Sequence, residues 1–296
     1  MTDLRHDAAG LPGVRRILQD WIAAAGDSLH KKRVTDVHIH DARKQLKKAR
    51  AALRLLRDGI GPSAYRRENT ALRDAARPLG VARDSKVLIA ALDELVEHHA
   101  PASQALKLDR FRRVLRKEQA AARQAITATL INEQRKALSE ASSRVERWRM
   151  SGEPWHVIGG GIERVYRGGK KAMQAAAASR TSEDLHAWRK QVKYLWHQLQ
   201  ILEPAWPALL GELAAQAHKL ADQLGDDHDL AVLRGKISGN AAAFDTQDRD
   251  ALVALLDRRR KQLQDRAFRL GARMYAEKPR RFRGRVASYW RLWRAE

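Results

Sequence analysis

The chain has 296 residues, enough to bury a sizeable core as one large or two ordinary domains, and its Lys plus Arg count of 57 against 35 Asp plus Glu gives a formal net charge of +22. That balance constrains the partner to a polyanion and leaves the fold open. The absence of Cys excludes disulfides, thiolate metal sites and thiol catalysis, and no apolar run approaches the ~18 residues a membrane span needs, so a soluble, cytoplasmic protein is expected.

In chain order, Val14, Ile17, Leu18, Trp21, Ile22 and Ala25 mark a first helix from Gly13 to Leu29. After the basic turn Lys31-Lys32-Arg33, Thr35 or Asp36 is suited to cap a second helix that runs to about Asp58 and ends at Gly59-Ile60-Gly61-Pro62. A third helix spans Ser63 to Arg77, Pro78-Leu79-Gly80 breaks it, and Asp84 caps a fourth that runs to His99 ahead of Pro101. A long basic helix, with or without a break, covers Ser103 to Trp148, and its Arg112 and Arg116 are further candidate ligands for a polyanion. Met150-Ser151-Gly152-Glu153-Pro154 is a breaker-rich link, and it divides the chain into units 1–150 and 151–296.

The second unit opens with a helix from Val157 to Ala178 that Gly159-Gly160-Gly161 and Gly168-Gly169 either interrupt or adapt to close packing. Thr181 or Ser182 caps the next helix, which stops at Glu203-Pro204. A helix from Pro207 to Leu224 follows, then a short one capped by Asp226 or Asp227 and ending at Ile237, a long one from Thr246 to Tyr275, and a basic tail helix from Lys278 to Arg294. No strand-like alternation persists, so the expected class is all-α, two antiparallel helical bundles side by side.

The second helix carries the candidate site. At about 100° per residue, His40, Arg43, Lys47, Arg50 and Arg54 fall in one stripe roughly 80° wide, while Ala42, Leu46, Ala49 and Leu53 take the other side. Like charges at that spacing repel by a few tenths of a kcal/mol per neighbour, and an anionic partner relieves the repulsion. The pattern His-x-x-Arg-Lys-Gln-aliphatic-Lys at His40 to Lys47, which includes Lys44, returns 146 residues later as His186, Arg189, Lys190 and Lys193. Leu79-Gly80-Val81-Ala82-Arg83-Asp84 is matched by Leu224-Gly225-Asp226-Asp227-His228-Asp229 at nearly the same offset, which indicates an internal duplication. His197 adds a cation to the second stripe, Arg73 and His218 add nearby ones, and Arg83 and His228, each preceding an Asp at a helix entrance, are secondary phosphate ligands. Arg forks and Lys ammonium groups both suit phosphate oxygens. Trp188 and Trp196 are expected to pack in the interior rather than to stack on bases.

These paired segments, the two Leu-Gly turns and the basic Trp-containing tail together resemble the CHAD family, the conserved histidine α-helical domain. The resemblance implies two four-helix bundles related by approximate twofold symmetry, with a basic groove or cavity between them that binds inorganic polyphosphate, and a place on polyphosphate granules. Carried onto this sequence, it assigns ligand roles to His40, Arg43, Lys44, Lys47 and Arg50 and to His186, Arg189, Lys190 and Lys193. Family members are often fused to a triphosphate-hydrolysing tunnel domain, for which this length leaves no room, so the expectation is a non-catalytic binder without cofactor or metal.

Two rivals remain. A nucleic-acid-binding protein would use the same charge, although no base-reading helix or aromatic platform is evident. A metal-dependent phosphohydrolase would use the His-Asp pairs His40-Asp41 and His228-Asp229, but in the internal copy Asp41 becomes Ala187 and His228 becomes Arg83, and Arg cannot replace a metal ligand.

Overall fold

A computed structural model describes residues 10–103 and 106–296, with side chains throughout except at 81–86 and 101–102. Among the described residues every regular element is helical, as the 3.6-residue periodicity requires, and the protein is all-α.

The first helices are α1 (Leu11–Leu29), started by Pro12 in its first turn, and α2 (Asp36–Leu55), entered from Thr35, whose N–H is accepted by His38 Nδ1 at 3.2 Å. The second helix ends three residues earlier than the sequence suggests, because the chain turns at Leu56 and continues as α3 (Arg57–Ala76), which is itself kinked where Gly61 adopts φ 79°. A positive φ of that size is readily available only to glycine, so the predicted break before Pro62 is a backbone kink. Next come α4 (Gly80–His98), the short α5 (Ala100–Ser103), α6 (Asp109–Gln124) and α7 (Ala128–Glu146). The basic stretch to Trp148 is thus broken, and Thr127 Oγ1 accepts the Leu130 N–H at 3.2 Å to restart it.

The later helices are α8 (Pro154–Ser179), α9 (Ser182–Leu202), α10 (Pro207–Gly239), α11 (Thr246–Met274) and α12 (Pro279–Ala295). The glycines of α8 do not interrupt it; they admit neighbours. A Cβ on Gly161 would stand 2.6 Å from Leu55 Cα, and one on Gly169 would collide with the Tyr275 hydroxyl.

Two expectations about caps are corrected. Asp84 lies inside α4 rather than ahead of it, and α10 runs unbroken through Leu224, so neither Asp226 nor Asp227 starts a new helix. Asp227 is 1% exposed and pairs with Arg260 Nε at 3.0 Å while accepting Gln264 Nε2 at 2.8 Å, which joins α10 to α11. The first half breaks at Pro78, which lacks the N–H and the space a continuous helix needs, whereas Gln223 occupies the matching place in α10.

Two apolar clusters result. The larger joins α1, α2, α3, α7, α8, α9, α12, the first part of α10 and the end of α11; the smaller joins α4 and α6 to the end of α10 and the earlier part of α11. Both draw residues from either side of position 150, and α10, at roughly 50 Å, is long enough to serve both. The helices α2 and α9 pack on each other, tied by Gln198 Nε2 donating to the buried Ala51 carbonyl at 3.1 Å.

Candidate binding site

The contact between α2 and α9 brings the two cationic stripes together, because their apolar sides, with Leu46 and Leu53 on one and Leu185 and Val192 on the other, are wholly committed to the core. An open cavity of about 320 Å³ lies where the stripes meet α4 and α10. From α2 it is lined by Arg43, Lys47 and Arg50, from α9 by His186, Arg189, Lys190, Lys193 and Tyr194, from α4 by Leu88, and from α10 by His228, Asp229 and Val232. Among the described residues its lining carries six Lys and Arg side chains against one carboxylate.

The arginines of the two stripes are seated alike. A Cβ on Gly80 would meet Arg43 Nη1 at 2.6 Å, and a Cβ on Gly225 would meet Arg189 Nη2 at 2.9 Å. Each guanidinium therefore lies against a helix glycine, where an added methyl group would push it aside, and Arg43 also donates to the Ala76 carbonyl at 2.9 Å. The repeated Leu-Gly dipeptide and the repeated His-x-x-Arg pattern are two sides of one contact. This role of Gly80 and Gly225 was not read from the sequence, although their shared offset with the stripes was its signal.

Tyr194 lines the cavity too, although nothing in the sequence singles it out. Its ring lies 3.7 Å below the Arg54 guanidinium and 6.0 Å from that of Arg50. Arg54 also donates to the Arg50 carbonyl at 2.7 Å, so it braces the site rather than lining it, and both arginines reach Asn69 Oδ1. Burial holds the Arg50 guanidinium below its ordinary pKa, a shift that Tyr194 opposes and that Arg54 and Arg73 reinforce.

The rings of His186 and His228 sit with centroids 4.3 Å apart. Burial, then His228, Lys190, Arg189 and Lys47, lower the pKa of His186 to about 4, so it is neutral near pH 7. His228 lies inside α10 rather than at a helix start, so the N-terminal amides expected beside it are absent and its imidazole alone faces the cavity.

Other sequence candidates lie elsewhere. His40 and Lys44 are on the exposed side of α2 and do not line the cavity. His197 is corrected outright: it is 3% exposed, hydrogen-bonded to Gln200 at 3.0 Å, and burial lowers its pKa to about 3, so it is a neutral interior group and not a cation. His218 pairs with Asp222 at 3.3 Å and stacks on Trp196, while Trp188 is fully buried against Phe268. Arg73 is paired with Asp74 and Arg112 with Asp93, and Arg116 is exposed on α6, away from the cavity. The side chain of Arg83 lies outside the described residues. Among the described residues no group of three or more His, Asp or Glu side chains is arranged to hold a metal ion, and no helix is long and apolar enough to cross a membrane.

Residues 14–238 match the model of the CHAD domain family, well over half of the chain and including every residue that lines the cavity. The chain belongs to the CHAD family. Curated proteins return no match to it. The CHAD match stops before α11 and α12, so the helix that supplies Arg260 to Asp227 lies beyond it.

Proposed function

We propose that this CHAD protein binds linear inorganic polyphosphate in the cavity between α2, α4, α9 and α10 and leaves it chemically unchanged. The observation that carries the reading is that two stripes 146 residues apart in sequence line one cavity, where the described residues supply six Lys and Arg side chains and one carboxylate. Like charges gathered in one lining repel one another, and an anion whose oxygens accept several charge-assisted hydrogen bonds at once relieves that repulsion. A volume of about 320 Å³ is at the low end for a ligand site, which suits a narrow chain entering from outside better than an enclosed bulky molecule.

We read the cavity as the seam of an internal duplication. In support, the packing of α1 on α2 and on α7 recurs as that of α8 on α9 and on α12, that of α4 on α6 recurs as α10 on α11, and the Arg43–Gly80 seat recurs as Arg189–Gly225. On this reading the two runs are helical bundles flanking a basic groove, and association with polyphosphate granules in the cell follows from the affinity itself.

The test is a filter-binding titration with long-chain polyphosphate. Lys47→Glu, Lys190→Glu and Lys193→Glu together should abolish binding at the cavity and leave the helical circular dichroism spectrum intact, since Arg43 and Arg189 keep their seats on Gly80 and Gly225. Displacement of polyphosphate by double-stranded DNA at equal phosphate concentration would instead favour a nucleic-acid-binding protein.

A further inference from the structure

A second basic groove, of about 370 Å³, lies between α10 and α11 and is lined by Gln216, Lys219, Gln223, Arg266, Arg269 and Arg273, with Leu270. Its α10 residues and those facing the cavity (His228, Asp229 and Val232) are on nearly opposite sides of that helix at about 100° per residue, so the groove opens on a different surface. The spacing repeats that of the stripes. Arg266, Arg269 and Arg273 stand at i, i+3 and i+7 on α11, facing Gln216, Lys219 and Gln223 at i, i+3 and i+7 on α10, just as His186, Arg189 and Lys193 do on α9.

Of the acids near these cations, two are paired away from the groove and the third, Glu212, is held by the groove's own Gln216 amide. Asp222 pairs with His218 at 3.3 Å, Asp265 lies 3.9 Å from Arg180, and Glu212 accepts from Gln216 Nε2 at 2.6 Å. Several other arginines of α10 and α11 are paired, among them Arg234 with Asp257 at 3.0 Å and Arg260 with Asp227 at 3.0 Å. Among the described residues Lys219, Arg266, Arg269 and Arg273 form no ion pair, so the groove gathers four cations that no carboxylate neutralises. The ridge beneath is rigid, since Ala217, Leu220, Leu224, Leu263 and Ala267 are buried.

We infer that this groove is a second binding segment for linear polyphosphate, so that one long chain is held at the cavity and again on the outer face of α10 and α11. The inference rests on the polyphosphate reading for its ligand, but its residues are distinct, and Arg266, Arg269 and Arg273 lie beyond the residues that match the CHAD domain. Two rows about 10 Å long present guanidinium forks from α11 and, from α10, an ammonium group between two side-chain amides, a surface suited to successive phosphate oxygens. A second segment raises the avidity for long chains through effective concentration and leaves short oligophosphates bound at the cavity alone.

The test uses the full chain titrated with long-chain polyphosphate and with tripolyphosphate at low and moderate salt. Arg266→Gln, Arg269→Gln and Arg273→Gln together should weaken long-chain binding about tenfold and make its log–log salt dependence shallower by about two, with tripolyphosphate binding unchanged. Long-chain affinity and salt dependence equal to those of the wild type would overturn the inference and leave the cavity reading standing. Conversely, a variant of Lys47, Lys190 and Lys193 that binds long chains normally, with binding lost on changing the groove, would support the groove and remove the cavity. Lys219→Gln alone, on the other helix, should weaken long-chain binding in the same direction and guards against a folding defect in the triple variant.

Discussion

Gly80 and Gly225 show how a single missing methyl group organises a charged site. Gly225 is inside α10, where alanine would add about 0.5–1 kcal/mol of helix stability, yet its Cβ would stand 2.9 Å from Arg189 Nη2. Gly225→Ala should therefore leave stability unchanged or slightly raised, because a flexible side chain can move, while polyphosphate affinity falls. Paired thermal melts and binding titrations check this, and a clear loss of stability with unchanged affinity would contradict it. His186 gives the second residue-level prediction. Its pKa near 4 lies below the ordinary 6.5, so between those values the unfolded chain binds more protons. The stability that neutral His186 contributes is thus complete above pH 6.5 and is lost as pH falls toward 4, with His197, near 3, extending the loss further. A bound polyanion acts in the opposite sense and raises the pKa of His186. Its affinity should accordingly be higher at pH 5.5 than at pH 7.5, with the His186 ring resonances titrating at higher pH in the complex than in the free protein.

At the scale of elements, buried carboxylates decide how helices dock. Glu68 on α3 is 0% exposed and is held by Arg144 of α7 at 2.9 Å, and Asp227 on α10 is held by Arg260 of α11. Removing one partner of such a pair leaves an uncompensated charge in the interior. Arg260→Ala should lower the free energy of unfolding by about 3 kcal/mol in urea titrations, whereas Asp227→Asn, which removes the charge and keeps a polar group, should cost less. The same pair gives Asp227 a role other than the helix cap expected of it. An Asp before an apolar run reads as a cap, but Asp227 faces a guanidinium from a helix whose arginine is 33 positions further on, a partner that local sequence cannot reveal.

Over the whole molecule, a net charge of +22 is a store of self-repulsion, and six Lys and Arg side chains of it line one cavity. If each neutralises one phosphate, the log of the cavity's affinity should fall with the log of salt concentration with a slope of about −4. A slope near zero would mean that charge is not the main source of affinity. Ligand at a hundred times its dissociation constant should also stabilise the fold by about 2.7 kcal/mol, visible as a rise in melting temperature.

The all-helical class, the order of the helices and the two cationic stripes follow from the amino-acid sequence alone, because a helix period and a run of like charge are local properties of neighbouring residues. Arg43, Lys47, Arg189 and Lys193 were legible as candidates since their 146-residue repeat is visible without any structure. What tertiary structure decided is which of those charges share a space. His40 and His186 hold equivalent places in the repeat, yet only His186 lines the cavity, because the approach of α2 to α9 and α10 sets what each stripe faces. His197 sits on the same stripe as His186 and is nevertheless interior, since burial depends on what packs from outside the helix, and no periodicity within a helix encodes that.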